Sequence, residues 1–229
     1  MSAIRQAGNG SRRVRSSQRS PHPNLERVLS RHLACAWRAP LHAASEQAFN
    51  ALSDGLPNGP EDLVIDSGCG NGASSRLLAR RFPDCLVVGV DKSAARLAAG
   101  GAVEFPHREG NLLLLRAELT TFWRLALGAG WRPRRHYLLY PNPWPKPGHL
   151  QRRWYAHPVF PVLLELGGRI EMRCNWEVYA REFALAAGRA LGAPVRHSPL
   201  SGSEPISPFE RKYRASGHAL YSVVLPAGL

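Results

Sequence analysis

The stretch LVIDSGCGNG, residues 63–72, decides the fold, because a short apolar run passes directly into a glycine-rich turn. The apolar run predicts a buried strand, and the glycines allow the backbone to turn sharply and approach a ligand closely. A turn of this kind between a strand and a helix is typical of open α/β sheets that bind nucleoside-containing cofactors. The stretch therefore predicts an α/β domain with a cofactor at the end of its first strand.

The residues after this turn alternate between helical and strand-like apolar patterns. Helices are predicted over residues 73–82, 94–99 and 119–127, and strands over residues 85–90, 111–115 and 136–140. This alternation predicts right-handed βαβ units and a parallel sheet. Further along, the pattern predicts helices over 157–166 and 176–191, a strand over 169–174, and a closing antiparallel pair over 194–199 and 218–225.

Two carboxylates near the turn indicate the kind of cofactor. Asp91 closes the predicted second strand about 20 residues beyond the turn, where an acid binds ribose hydroxyls. The turn and Ala73 also fit the GxGxxA pattern of dinucleotide sites. The glycines alone therefore leave two cofactors open, a nicotinamide or flavin dinucleotide and S-adenosyl-L-methionine. Asp66 would repel a pyrophosphate but suits the ammonium of a methionine moiety, which favours S-adenosyl-L-methionine.

A second stretch rich in functional groups is YPNPWPK, residues 140–146, which follows an apolar strand. Its prolines cannot continue a ladder, so the segment is predicted to leave the sheet as a loop. Asn142 and Trp144 offer an amide and an aromatic face, a combination that grips a flat polar base. Packing against the core is the slightly favoured alternative for Trp144. The cations expected to bind the RNA backbone are Lys146, His149, Arg152 and Arg153.

The composition is strongly basic, with 30 Lys and Arg against 17 Asp and Glu, a net charge of +13 and a pI of about 10.6. Such a charge favours nucleic acid as partner, although an Arg-rich genome is an alternative explanation. The four cysteines lack CxxC spacing, so neither a metal site nor a disulfide framework is predicted. We see no membrane span or signal peptide and expect a cytoplasmic protein, with a monomer favoured.

The chain is expected to have three parts. Residues 1–23 contain five arginines and no acid, which predicts a disordered basic tail that either follows RNA phosphates or has no role. Residues 24–60 are predicted to hold two helices and a linker dense in turn formers. Residues 61–229 form the cofactor-binding domain.

From about residue 63 to residue 221 the chain resembles the bacterial tRNA (guanine-N7-)-methyltransferase family. The resemblance rests on the glycine turn and, more specifically, on PNPWPK followed by His149, Arg152 and Arg153. It implies a Rossmann-like class I methyltransferase fold, with a seven-stranded mostly parallel sheet and helices on both faces. It also implies S-adenosyl-L-methionine as methyl donor and N7 of a guanosine in the tRNA variable loop as acceptor.

The glycine turn and the resemblance together define the candidate site residues, with Asn142 as the candidate catalytic residue. The candidate cofactor-binding residues are Asp66, Gly68, Gly70, Gly72, Asp91, Glu118 and Asn142. The candidate substrate-binding residues are Lys146, His149, Arg152, Asn175, Ser207 and Glu210.

The chain departs from the family pattern at two acidic positions, because Asn142 and Asn175 stand where the family normally has Asp. Guanine N7 has a free lone pair and no proton to lose, so its methylation needs no general base. A nearby carboxylate would nevertheless stabilise the positive charge that develops on the purine. We therefore expect a slower or redirected enzyme, in which Glu210 partly compensates. A methyltransferase with another acceptor and a non-catalytic RNA-binding protein remain as alternatives.

Overall fold

The computed structural model describes residues 10–53, 56, 62–202 and 204–227. The strands are β1 Leu63–Ser67, β2 Leu86–Asp91, β3 His107–Glu109, β4 Leu112–Arg116, β5 Arg135–Leu139, β6 Arg169–Cys174, β7 His197–Pro199 and β8 Tyr221–Leu225. Within the described residues they form one eight-stranded sheet in the order β3-β4-β2-β1-β5-β6-β8-β7. The five strands from β4 to β6 in this order are parallel, and β3, β8 and β7 are antiparallel to their neighbours.

Helices cover both faces of this sheet. They are α1 Leu25–Ala34, α2 Ala43–Ser53, α3 Ala73–Arg81, α4 Ala94–Ala99, α5 Leu119–Gly128, α6 Phe160–Leu166, α7 Glu177–Leu191 and α8 Pro208–Ala215. Two 3₁₀ turns, Pro147–Arg152 and Trp154–Ala156, connect β5 to α6. This arrangement confirms the predicted Rossmann-like fold.

Strand β1 shows why the chain needs helices on both sides. Successive side chains of a strand point to opposite faces. Leu63 and Ile65 accordingly enter the larger core beneath α1, α2 and α5 to α7, and Val64 enters the smaller core beneath α3 and α4. All three are fully buried, as the continuous apolar run predicts for a central parallel strand.

The structure corrects the strand count and several bounds of the predicted elements. The closing strands β7 and β8 each begin three residues later than predicted, at His197 and Tyr221. The described sheet has eight strands instead of seven, because the short edge strand β3 pairs antiparallel with β4. Its three residues are His, Arg and Glu, which give no apolar strand signal. The helix predicted over residues 157–166 begins only at Phe160, after the 3₁₀ turn, and Pro161 occupies its first turn, where no intrahelical donor is needed.

Residues 10–22, which we call the N-terminal arm, lie against the domain without regular secondary structure. At one end the Ser11 amide donates to Ser216 Oγ at 2.9 Å, and further along Gln18 Nε2 donates to Glu182 Oε1 at 2.8 Å. The sequence did not predict these hydrogen bonds of the arm, because their partners lie far along the chain. Residues 1–9, and all of the predicted linker 54–60 except residue 56, lie outside the described residues, and the three-part division stays a prediction.

Candidate active site

The glycine turn follows β1 with three residues in the left-handed region, at φ of 81° for Gly68, 63° for Gly70 and 77° for Gly72. A Cβ at Gly70 would meet no atom, so glycine is needed there for its backbone conformation alone. At Gly72 a Cβ would also lie 2.9 Å from the Leu114 side chain. The turn therefore depends on glycine for its shape and, at Gly72, for close packing on β4.

Asp66 lies near the end of β1 with only 1% of its surface exposed. Its Oδ2 accepts hydrogen bonds from Ser74 Oγ at 2.6 Å and Ser75 Oγ at 2.7 Å. Its Oδ1 is also buried but has no partner among the described residues. Burial raises the pKa of Asp66, although the two serine hydroxyls oppose this shift. An unpaired buried carboxylate oxygen is unfavourable, so this atom fits a ligand that brings a cationic donor.

Asp91 ends β2 and shapes the glycine turn. Its Oδ2 accepts from the Gly70 amide at 2.9 Å, and its Oδ1 accepts from the Ser93 amide at 2.8 Å. Arg96 Nη2 lies 3.2 Å from the same Oδ1. Each carboxylate oxygen can accept more than one hydrogen bond, so these contacts leave capacity for a hydroxyl donor. Asp91 thus holds the turn in place, and its predicted contact to ribose remains a prediction.

A cavity of about 390 Å³ opens beside the ends of β2 and β4, a size within the range of small-molecule sites. Its lining includes Lys92, Phe105, Ala117 and Glu118, together with His42, which precedes α2, and Ser45 in the first turn of α2. Ser45 Oγ accepts the Glu118 amide at 2.9 Å and so ties α2 to this edge of the sheet. Glu118 is one of the predicted cofactor-binding residues, and this role stays a prediction. His42 and Ser45 were not predicted, because nothing in the sequence indicates their long-range contacts.

The segment 140–146, which we call the acceptor loop, leaves the sheet beside the glycine turn. Strands β1 and β5 are parallel neighbours, with Asp66 in register with Tyr137. The two loops therefore start at the same edge of the sheet, about 5 Å apart in the direction of strand pairing. Tyr140 and Trp144 have φ of 54° and 45°. Left-handed backbone at bulky residues is strained and is typical of functional sites.

The side chain of Asn142 is exposed and helps to form the acceptor loop itself. Its Oδ1 accepts the Trp144 amide at 3.2 Å, which is the hydrogen bond of an Asx turn. An uncharged amide in this position contributes hydrogen bonds but no negative charge. Its predicted catalytic and cofactor-binding roles remain predictions.

Trp144 forms a cluster with two of the predicted RNA-binding residues. The guanidinium of Arg152 lies 4.8 Å from the centre of the indole, and the His149 ring meets it edge to face at 5.5 Å. Desolvation and the nearby charges of Arg152 and Lys146 lower the pKa of His149, so its imidazole is neutral at neutral pH. Cation–π contact thus occupies the Trp144 ring, while stacking on a base stays a prediction.

The structure corrects the grouping of Arg153 with the cations expected to bind RNA. Arg153 is fully buried and pairs with Glu182 at 2.6 Å, whereas Lys146 and Arg152 are exposed. Its charge is therefore compensated inside the protein. The sequence could not show this, because an arginine beside another arginine gives no sign of which one is buried.

Ser207 and Glu210 organise the start of α8. Ser207 Oγ accepts the Glu210 amide at 3.1 Å as the N-cap of the helix. The Glu210 carboxylate is fully buried and accepts from Arg173 Nη1 at 2.9 Å and Arg214 Nη2 at 2.7 Å. Two guanidinium groups thus neutralise the carboxylate that we expected to compensate for Asn142. Asn175, next to the end of β6, lies 3.2 Å from His218 Nδ1 through its amide nitrogen.

The described residues contain no group of three or more His, Cys, Asp and Glu that could hold a metal ion. In the same part of the chain, none of the helices combines the length and the apolar composition that crossing a membrane requires. The sheet carries a buried carboxylate at Asp66 and a cavity beside β2 and β4 on one side, and a strained, cation-bearing loop after β5 on the other.

Known proteins are similar to this chain over most of its length. A protein-family model described as "Putative methyltransferase" matches residues 60–223. A tRNA (guanine-N(7)-)-methyltransferase of Anaeromyxobacter dehalogenans (strain 2CP-C) is 33% identical over 173 residues, which cover 71% of this chain and 84% of that protein. One from Leifsonia xyli subsp. xyli (strain CTCB07) is 27% identical over 169 residues, which cover 70% and 74%.

A solved structure supports the fold. The 16S rRNA methyltransferase KamB aligns with a TM-score of 0.56 over 85% of this chain and 98% of that chain, at 18% sequence identity. This similarity is one of fold alone.

Proposed function

Because this chain belongs to the tRNA (guanine-N(7)-)-methyltransferase family, we propose that it transfers a methyl group from S-adenosyl-L-methionine to N7 of a guanosine in tRNA. The observation that carries this proposal is the placement of the glycine turn and the acceptor loop on the neighbouring strands β1 and β5. Donor and acceptor are thereby expected to meet at one edge of the sheet. The proposed acceptor is a guanosine of the variable loop.

The residues around the first two strands fit the cofactor. The unpartnered Asp66 Oδ1 matches an ammonium group, and the cavity beside Glu118 has room for an adenine ring. Asp91 has acceptor capacity left for a ribose hydroxyl. When bound, the sulfonium group supplies an electrophilic methyl.

The acceptor side is suited to positioning rather than to proton transfer. N7 of guanine has no proton to remove, and in the free protein the site offers an amide at Asn142 and a neutral imidazole at His149. We expect the exposed cations Lys146 and Arg152 to bind phosphates of the RNA backbone near the target nucleotide. In this proposal the chain holds the base in line with the methyl group, and the lone pair of N7 attacks the methyl carbon without a catalytic base.

A second candidate function is methyl transfer to another acceptor. A further alternative is an RNA-binding protein with weak or no methyltransferase activity. The observation that favours these alternatives is electrostatic. Asn142 carries no charge, and Arg173 and Arg214 compensate the charge of Glu210. The positive charge that moves onto the purine during transfer therefore has no uncompensated carboxylate among these residues to stabilise it.

The finer proposals concern the setting of the reaction. tRNA as substrate places the proposed activity in the cytoplasm, and we propose that the protein acts as a monomer. Light scattering on the purified protein with and without tRNA tests the second statement, and a dimer mass would contradict it.

The experiment that tests the function follows a labelled methyl group from S-adenosyl-L-methionine into bulk tRNA, with nucleoside analysis by mass spectrometry. We expect N7-methylguanosine from the wild-type protein, and a strongly reduced yield at limiting S-adenosyl-L-methionine when Asp66→Asn has removed the predicted partner of the ammonium. Ribosomal RNA of equal mass concentration serves as a control for non-specific polyanion binding. Cofactor binding without label in tRNA would reject the tRNA activity and favour the second candidate.

A further inference from the structure

The N-terminal arm and the acceptor loop meet at a buried ion pair between Arg153 and Glu182. We call this pair, together with Gln18, the clasp. Arg153 and Glu182 have no exposed side-chain surface, and their closest N–O distance is 2.6 Å. Gln18 reaches both of them from the arm, 135 residues from Arg153 and 164 residues from Glu182 in sequence. The clasp thus joins three distant segments of the chain.

Arg153 holds the backbone of the acceptor loop. Its Nε and Nη2 donate to the Trp144 carbonyl at 3.2 and 3.1 Å, and Nη2 also lies 3.4 Å from the Lys146 carbonyl. Its guanidinium lies over the Trp176 ring at 5.0 Å, which fixes its plane. Because Trp144 has a strained backbone, these bonds stabilise a conformation that the loop would not hold alone.

Gln18 completes the hydrogen bonding of the buried pair. Its Oε1 accepts from Arg153 Nη2 at 3.0 Å, while its Nε2 donates to Glu182 Oε1 at 2.8 Å. On the inner side, the Tyr155 hydroxyl donates to Glu182 Oε2, and burial raises the pKa of Tyr155 so that it stays protonated. A buried ion pair is favourable only when its remaining donors and acceptors are satisfied. Gln18 supplies that satisfaction from the arm.

The arm also contacts the loop directly. Ser16 Oγ donates to the Pro145 carbonyl at 2.5 Å, so the arm binds the residue between the two carbonyls that Arg153 holds. The His22 amide donates to Glu182 Oε1 at 2.6 Å and anchors the other end of the arm. Three successive carbonyls of the acceptor loop are thereby held by Arg153 and Ser16.

We propose that Gln18 and Arg153 are positioning residues for the acceptor loop: Gln18 orients Arg153, and Arg153 fixes the loop backbone that presents Trp144 and Lys146 to RNA. This inference rests on the proposed function for its effect on catalysis. Its effect on the loop itself does not depend on that function, so the two can be tested separately.

The first measurement is amide hydrogen exchange over residues 140–153 in Gln18→Ala, with Ser17→Ala as control because Ser17 is the exposed neighbour on the same arm. We expect exchange in this segment to be on the order of tenfold faster in Gln18→Ala and unchanged in Ser17→Ala. Exchange in β1, which is remote from the arm, is expected to stay at the wild-type rate. Unchanged exchange over residues 140–153 would overturn the inference whatever the kinetics show.

The second measurement is steady-state methyl transfer. For Gln18→Ala we expect a roughly tenfold to hundredfold loss of kcat/KM for tRNA, with the KM for S-adenosyl-L-methionine unchanged. The loss of kcat/KM caused by Gln18→Ala should be smaller in a Lys146→Ala background, because one of the side chains that Gln18 helps to position is already absent. Additive losses, or an equal rise in both KM values, would refute positioning through the loop.

Arg153→Lys keeps the charge but loses the planar fork. We expect amide hydrogen exchange over residues 140–153 to be as fast in Arg153→Lys as in Gln18→Ala. A wild-type exchange rate in Arg153→Lys would contradict the role of the planar guanidinium. If this variant does not fold, the Gln18 variants decide the matter. If the wild-type protein transfers no methyl to tRNA but Gln18→Ala still exchanges faster over residues 140–153, the inference about the clasp stands and only the proposed function is rejected.

Discussion

The substitution Asp66→Asn separates cofactor binding from folding most clearly. In the wild type, Oδ2 accepts from Ser74 and Ser75, and Oδ1 is buried without a partner among the described residues. An Asn side chain keeps one acceptor oxygen for the two serine hydroxyls but places an NH₂ donor where the free oxygen was. The variant therefore keeps the local packing and loses the partner of the ammonium.

The size of the effect follows from the burial of this atom. A hydrogen bond to a charged group contributes about 1.5–3 kcal/mol, and more when the partner would otherwise stay unpaired. Because about 1.4 kcal/mol corresponds to a tenfold change in affinity, S-adenosylhomocysteine should bind the variant roughly 10-fold to 150-fold more weakly. S-adenosylhomocysteine retains the ammonium but has no sulfonium charge, so the measurement isolates this contact.

The stability of the free protein should change in the opposite direction. The pKa of Asp66 is raised in the folded state, so this group favours folding at low pH and disfavours it as the pH rises through the folded pKa. Removing the charge should therefore leave the free protein at least as stable as wild type at neutral pH. Isothermal titration calorimetry and urea unfolding measure the two effects, with the exposed Asp84→Asn as matched control. Wild-type affinity in Asp66→Asn would refute the assigned contact.

Four further outcomes are expected. Asn142→Asp should raise kcat on tRNA by about tenfold, since a carboxylate near the base offsets its developing charge, and unchanged initial rates would contradict this argument. Gly72→Ala should lower the free energy of unfolding by about 1–2 kcal/mol or more in urea melts, because its φ is left-handed and β4 lies against it. Lys146→Ala and Arg152→Ala should each weaken tRNA binding and reduce the salt dependence by about one phosphate contact, without altering cofactor affinity. Because the pKa of His149 is lowered, tRNA affinity should rise on acidification from about pH 7 to pH 5, and the rise should be absent in His149→Gln.

The central half of the fold could be predicted because its signals are local. The apolar run of β1, the glycines after it and the alternation of helix and strand patterns all lie within short windows of sequence. The helix at Ala94–Ala99 agrees with its prediction at both ends, and the capping Ser93 and the following Gly100 explain why. The parallel direction of the central strands then followed from the rules for strands connected through helices, whereas their order in the sheet was not predicted.

The missed features depend on residues that are distant in sequence. The burial of Arg153 requires Glu182 and Gln18, and the neutralisation of Glu210 requires Arg173 from β6. The presence of His42 in the lining of the cavity beside Glu118 likewise depends on how α2 packs. Sequence patterns identify which side chains can do chemistry, but the compensation of each charge is decided by the three-dimensional neighbours.

The short strand β3 has a consequence for how the protein behaves at high concentration. It pairs along one side of β4, whose first four residues are all leucine. An uncovered edge of that composition would be a template for strand addition by another molecule and a starting point for aggregation. β3 instead presents His107, Arg108 and Glu109 at the margin of the sheet, and Arg76 forms an ion pair with Glu109 at 2.5 Å. Three polar residues without any apolar signal of their own thus keep the leucine-rich strand β4 from pairing with another copy of the chain.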